Sequence, residues 1–139
     1  MDRPDRRIFI VCLGLGAAIV LGCATARNTI RVAPAATADS LVLLVRSTID
    51  SGLPPESVYG LSVLRCDTRE VTWTIAADGS RRMPGTVIYG RPVPGFPTRV
   101  GPLPLTPGCY EVIVSGATSR RFDVEANRTI RVRDTPRPP

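Results

Sequence analysis

The chain after residue 40 alternates apolar and polar positions with a period of two, which is typical of β-strands. The alternation is clearest in Glu70–Ala77, where threonines separate Val71, Trp73 and Ile75. Because successive side chains of a strand point to opposite faces, this pattern predicts a half-buried strand with Trp73 in the core. Val58–Cys66 has the composition of a partner strand, and we expect the two segments to form a hairpin.

No amphipathic helix is predicted after Cys23. Further short strands are predicted at Leu41–Arg46, Thr86–Tyr89, Cys109–Gly116, Arg120–Val124 and Thr129–Val132. Asp78-Gly79, which follows the hairpin, is a typical turn dipeptide and predicts a turn there. Short strands separated by turns favour an all-β fold, a small β-sandwich, with closure into a small barrel as the alternative.

The segment Leu105–Val112 carries a family resemblance. Its Pro-Gly-Cys-Tyr-Glu-Val sequence is similar to a late strand of transthyretin-like and carboxypeptidase-regulatory-like β-sandwiches. This resemblance implies a prealbumin-like or immunoglobulin-like architecture and no particular activity.

The segment Gly90–Gly108 departs from the strand pattern, with six prolines and four glycines in nineteen residues. Proline cannot donate a hydrogen bond to a β-ladder, so this segment cannot be a central strand. One hypothesis is an ordered crossover loop with Phe96 in the core. The other is a partner-binding segment in polyproline conformation, in which Phe96 and Arg99 are the candidate contact residues.

An uncharged, apolar run, Ile8–Cys23, lies ahead of the β-rich region and follows Arg3, Arg6 and Arg7. A basic segment before an apolar one is the pattern of a secretory signal peptide. The last four residues of the run, Val-Leu-Gly-Cys, resemble a bacterial lipobox. That resemblance implies cleavage before Cys23 and a diacylglycerol on its sulfur, and two or three acyl chains give durable membrane anchoring.

Two alternatives concern this N-terminal stretch. The uncharged run continues to Ala26, so an uncleaved membrane helix is the competing interpretation, since about 20 apolar residues span a bilayer. Arg6–Ile10 resembles the twin-arginine export motif, which leaves the export route open. Under either interpretation the rest of the chain is exported and tethered.

The sequence therefore predicts four regions. Residues 1–22 form a signal peptide, 23–40 a lipidated tether, 41–133 the sandwich domain and 134–139 a flexible tail. Within the tether, Thr29–Val32 has the same four residues as Thr129–Val132. The match is either chance or a sign that both segments are short strands.

Four cysteines occur in the chain, and only Cys66 and Cys109 remain once Cys12 leaves with the signal peptide and Cys23 is lipidated. In an oxidising compartment such a pair is expected to form a structural disulfide. The alternative, a reactive or metal-binding thiol pair, lacks a histidine to join it.

The charge balance is basic, and all 18 basic residues are arginine. From Cys23 onward, 15 arginines face 10 acids, which could favour anionic lipids, acidic polymers or nucleic acid. The arginines are spread along the chain, as on a solvated surface. With one Trp, three Tyr and three Phe there is no aromatic platform for bases, so we expect no nucleic-acid binding.

The absence of histidine and lysine removes several reaction classes. Serine–histidine triads, serine–lysine dyads, Schiff bases and histidine-ligated zinc all need one of these residues. Carboxylate chemistry survives, but the acids near the hairpin, Asp67, Glu70 and Asp78, are expected to be turn formers, and no Asp-x-Asp-x-Asp spacing is present. We therefore expect no cofactor and no metal.

The sequence predicts a non-catalytic envelope lipoprotein on the cell membrane or outer membrane, facing the periplasm or the exterior. The lipid on Cys23 would supply the location, and the β-sandwich would bind a protein or polymer of the envelope. Two alternatives stay open. One is a carboxylate-dependent enzyme acting on envelope glycans, and the other is a small inhibitor or immunity-type lipoprotein that inserts Gly90–Gly108.

Overall fold

The computed structural model describes residues 28–47, 57–115 and 119–133. Within these residues the chain forms nine β-strands and no helix, which confirms the all-β prediction. In chain order the strands are β1 (Asn28–Val32), β2 (Val42–Ser47), β3 (Ser57–Arg65), β4 (Val71–Arg82), β5 (Thr86–Ile88), β6 (Thr98–Val100), β7 (Gly108–Val114), β8 (Arg120–Val124) and β9 (Ile130–Val132).

The strands form two antiparallel sheets that pack as a small sandwich. The smaller sheet has the order β1-β2-β5, and the larger has the order β6-β4-β3-β7-β8-β9. One continuous apolar core lies between them, with Leu43 and Val45 from the smaller sheet and Val63 and Val112 from the larger. Because the two sheets are not joined by strand pairing within the described residues, the domain is a β-sandwich, and the alternative prediction of a closed small barrel is wrong.

The folded part includes residues assigned above to the tether. Asn28–Val32 is strand β1, which pairs antiparallel with β2 along its whole length. Ile30 and Ala38 are buried because this pairing completes the smaller sheet over the core. The boundary placed at residue 41 is therefore corrected, and the interpretation of Thr29–Val32 and Thr129–Val132 as strand segments is confirmed for both.

The hairpin of β3 and β4 is confirmed, but the alternation of buried and exposed residues shifts by one position within β4. Trp73 and Ile75 are fully buried as predicted, but Val71 is 36% exposed and Thr72 is buried instead. Val63 pairs with Trp73 while Leu64 pairs with Val71, so Thr72 is an extra residue in β4. Such a bulge reverses the alternation beyond it.

The turn predicted at Asp78-Gly79 is corrected. The chain does not reverse there, because β4 continues to Arg82 and pairs again with the start of β3. The register shifts between Val58 and Gly60, so the Asp-Gly dipeptide lies in an irregularity of the strand. A glycine is required at Gly60, where the regular pairing resumes opposite Ala76, since a Cβ there would lie 2.3 Å from the carbonyl oxygen of Ile75.

Cys66 and Cys109 form the predicted disulfide, with 5.4 Å between their Cα atoms. The bond joins the end of β3 to β7, its antiparallel neighbour, and the Cys66 N–H donates to the Cys109 carbonyl at 3.0 Å. It fixes the register of two central strands across a sequence separation of 43 residues.

We expect a Cys66→Ala, Cys109→Ala double variant to unfold more easily. Closing a loop of this length stabilises a fold by about 4 kcal/mol in the chain-entropy model. Urea unfolding of both proteins, followed by far-UV circular dichroism, measures the difference. Reductant should lower the midpoint of the wild-type protein and leave that of the variant unchanged. Equal midpoints without reductant would contradict a stabilising role.

Candidate functional site

The proline-rich segment is an ordered crossover that packs on the domain. Strand β6 lies within it and pairs with β4 at the edge of the larger sheet, as expected for a segment that cannot be central. Leu105 is buried, and the Leu103 N–H donates to the Thr72 carbonyl at 2.9 Å. The Tyr89 hydroxyl donates to the carbonyls of Leu103 at 2.6 Å and Thr72 at 3.3 Å. These contacts hold the segment against the domain.

Phe96 does not offer a contact surface, and the prediction that it touches a partner is corrected. Its side chain is 1% exposed and belongs to the core, as the crossover hypothesis allowed. A short turn, in which the Phe96 N–H donates to the Val93 carbonyl, points the ring inward. Burial of a whole aromatic side chain stabilises the fold by about 2–3 kcal/mol, which explains why the ring turns away from solvent.

Arg99 is exposed, as predicted for a contact residue. Its guanidinium donates to the Asp78 carboxylate at 2.7 Å and to the Ala76 carbonyl at 3.3 Å. Both partners belong to β4, so Arg99 holds β6 on the edge of the sheet. Its role as a partner contact stays a prediction.

The outer face of the larger sheet carries a ladder of ion pairs. Glu111 on β7 is 8% exposed, and Arg69 donates to it at 2.8 Å while Arg121 lies 4.0 Å away. Burial alone would raise the pKa of Glu111, but hydrogen bonds from Arg69 and Ser119 and the charge of Arg121 outweigh it. The pKa therefore lies below its usual range, and Glu111 is ionised at neutral pH.

Asp123 on β8 continues this ladder toward the sheet edge. It is 8% exposed and accepts a hydrogen bond from Arg133 at 2.7 Å, with Arg131 at 3.5 Å. Arg131 also pairs with Glu125 at 3.1 Å. Arg131 of β9 and Arg133, just after that strand, are therefore paired with acids on β8 or just after it.

A shallow groove lies on the same outer face, beside the ladder. Its volume is about 300 Å³, and small side chains such as Ser62, Thr74 and Ala76 form its floor. Tyr59, which is 63% exposed, borders it. The groove is a surface feature with no titratable acid among its described lining residues.

A second cavity, of about 370 Å³, opens where the two sheets meet at their edges. Its described lining residues are Arg31 and Val32 of β1, Arg120 of β8 and Val132 of β9. The Arg120 Nε donates to the Ile30 carbonyl at 3.4 Å, which ties β8 to the free edge of β1. Neither arginine has an acidic partner within the described parts of the chain. We call this the edge cavity.

Asp67 acts as a turn former at the hairpin, as predicted. Asp67 accepts hydrogen bonds from the Thr68 N–H at 2.8 Å and from Arg65 at 3.3 Å. These bonds hold the pKa of Asp67 below its usual range. In the described ranges, no three metal-ligating side chains come together.

The predicted signal peptide, its alternative as a membrane helix and the lipidation residue Cys23 lie outside the described residues. Among residues 28–47, 57–115 and 119–133, no helix has the length and apolar character needed to cross a bilayer. In comparisons with known proteins, no family model, no curated protein and no solved structure matches the chain.

Two clusters were missed at the level of sequence. The ladder at Glu111 and Asp123 could have been found from the outward positions of β7 and β8, had the strand register been known. The edge cavity joins Arg31 and Arg120, which are far apart in the chain. Arg31 lies between two β-branched apolar residues, whereas Arg120 lies between a serine and another arginine, so no shared pattern in the sequence links them.

Replacing Tyr89 with Phe should loosen the proline-rich segment locally. The variant keeps the ring packed edge-on against Trp73 but loses the bond to Leu103, worth about 1 kcal/mol. Hydrogen exchange at the amides of Leu103 and Leu105 should therefore be faster by about fivefold. Tyr59→Phe, which removes an exposed hydroxyl, is the matched control and should change neither rate. Unchanged exchange in Tyr89→Phe would mean that this hydroxyl does not hold the segment.

Replacing Glu111 with Gln should destabilise the protein at pH 7 by about 1–2 kcal/mol, because it removes charge-assisted hydrogen bonds. The pKa of Glu111 is lowered in the folded state. The stability that this carboxylate contributes is therefore fully present above the unfolded pKa, about 4.3, and is lost as pH falls through the folded pKa. Denaturation curves of the two proteins should converge below about pH 4.

The matched control is Glu70→Gln, which changes an exposed acid at the turn of the β3–β4 hairpin. Its unfolding midpoint at pH 7 should equal that of the wild type. A Glu111→Gln difference that persists undiminished at low pH would contradict an electrostatic origin.

Proposed function

We propose that this protein is a non-catalytic, membrane-anchored envelope lipoprotein whose β-sandwich serves as a binding module. The observation that carries the proposal is a disulfide-linked all-β domain that follows a lipobox-like leader within a few residues. A structural disulfide fits an oxidising compartment, and the leader would supply both export and the lipid anchor.

The state of the acids supports a binding role over hydrolysis. The two most buried carboxylates, Glu111 and Asp123, are engaged by arginines at 2.8 and 2.7 Å. A glycan-cleaving site of the usual kind needs two carboxyl groups that face each other across an open cleft, one of them with a raised pKa. The lowered pKa of Glu111 does not fit the role of the acid.

The proline-rich segment supports an adaptor over an inhibitor. A segment that inserts into an enzyme would present exposed side chains on a protruding loop. Here Val93, Phe96 and Leu105 are buried and fix the segment to the domain, while Val100 and Leu103 are exposed. The exposed faces of the two sheets are thus the surfaces on which a protein or polymer of the envelope would bind.

The decisive experiment is the intact mass of the protein isolated from membranes, repeated after alkylation without reductant. We expect a chain that begins at Cys23 and carries acyl groups, with no alkylation of Cys66 or Cys109. A Cys23→Ala variant should lose the acyl mass and leave the membrane fraction or remain unprocessed. A full-length mass beginning at Met1, without acyl groups, would overturn the lipoprotein proposal.

A further inference from the structure

The position of β1 limits how far the domain can stand from the membrane. If Cys23 carries the lipid, as the proposed function requires, five peptide units connect it to Asn28, the first residue of β1. An extended chain covers at most about 3.6 Å per residue, so Asn28 lies within about 18 Å of the anchored cysteine. The polar headgroup layer takes up several of those ångströms. The end of the sandwich that contains β1 is therefore held close to the lipid headgroups.

Two arginines at this end have no acidic partner among the described residues. Arg131 of β9 and Arg133, the residue after that strand, pair with Asp123, whereas Arg31 and Arg120 have no acidic partner in the described ranges. Arg31 lies three residues beyond the start of β1. When this end of the domain rests on the headgroups, its unpaired arginines come within the roughly 8 Å over which an anionic membrane surface attracts them at physiological salt.

The edge cavity combines two chemical features. Arg31 and Arg120 place guanidinium groups at its wall, and Val32 and Val132 supply apolar surface beside them. Arg120 uses its Nε for the Ile30 carbonyl, which orients the side chain and leaves its terminal nitrogens available. Guanidinium groups bind phosphate oxygens in bidentate geometry. Of the two valines, Val132 is 36% exposed and suits the glycerol and upper acyl carbons of a lipid, whereas Val32 is only 9% exposed.

We propose that the edge cavity binds the headgroup of an anionic phospholipid in the membrane that holds the anchor. The inference rests on the proposed function and adds a lipid site to it. Arg31 and Arg120 bind the phosphate, and the two valines contact the adjoining carbons. The bound lipid sets the orientation of the sandwich, with β1 and β9 facing the membrane and the outer face of the larger sheet left accessible to a partner.

The test is a titration of the full-length protein in neutral detergent, followed by the amide resonances of Val32 and Val132. The probes are dihexanoyl phosphatidylglycerol, dihexanoyl phosphatidylcholine and inorganic phosphate. We expect saturable shifts with the glycerol lipid at concentrations at least about tenfold lower than with the other two probes. The choline cation is repelled by the two guanidinium groups, and inorganic phosphate has no glycerol or acyl carbons to contact the valines. Equal affinity for both lipids, or phosphate as tight as the anionic lipid, would overturn the proposal.

Variants of the cavity arginines test whether lipid binding takes place in the edge cavity. The Arg31→Gln, Arg120→Gln variant should bind phosphatidylglycerol at least about tenfold more weakly. The matched control is Arg81→Gln, Arg82→Gln, which removes the same charge from exposed arginines on β4 and should bind like the wild type. Because Arg120 also contacts β1, Arg31→Gln alone is measured too, and it should weaken binding without lowering the melting temperature. Wild-type affinity in Arg31→Gln and in the double variant would overturn the proposal.

The two proposals fail separately. The titration measures only lipid binding in the edge cavity, whereas the intact mass measures only the processing and acylation of Cys23. Acyl groups on Cys23 without selective binding of phosphatidylglycerol would overturn the lipid site and leave the lipoprotein intact. A mass without acyl groups would overturn the lipoprotein, and with it the membrane orientation, whatever the titration gave.

Discussion

Burial of Trp73 between the two sheets is the interaction on which the other parts of this structure depend. The side chain is wholly buried, and its indole N–H has no hydrogen-bond partner within the described chain, so its contribution comes from packing. Tyr89 packs against it edge-on with 5.1 Å between ring centroids. The bulge at Thr72, one residue earlier, aims the Thr72 carbonyl at the proline-rich segment, where it accepts the Leu103 N–H. One short stretch of β4 thus fills the core and fixes the long crossover.

The domain divides its charges between two settings. On the outer face of the larger sheet, arginines stabilise the fold through ion pairs. Their partners are Glu111 on β7 and Asp123 on β8. At the edge where β1 meets β8, arginines are left without acids and lie beside valines. The same residue type therefore stabilises one surface and gives another a positive potential, which composition alone could not distinguish.

Much of the fold was predictable because the strands are short and their alternation is regular. β7 has Tyr110, Val112 and Val114 buried on one face, as its sequence pattern indicated. β1 was missed as part of the domain because the predicted tether is rich in Ala and Thr, and its few apolar residues become a core only beside β2. The exposure of Val71 and the burial of Thr72 in β4 were missed for a similar reason. A bulge depends on the partner strand and on the segment that packs against it, and the sequence of a single strand indicates neither.

The sequence by itself determined the all-β class, the Cys66–Cys109 pairing and the burial of Trp73, since each follows from local periodicity or from the presence of two cysteines in the β-rich region. The tertiary structure alone decided the environment of the surface side chains. Phe96 turns into the core, Arg99 holds the β6 edge, and Arg31 and Arg120 line one cavity. These outcomes depend on which strands become neighbours, and strand order is settled by packing of the whole core and not by any local segment.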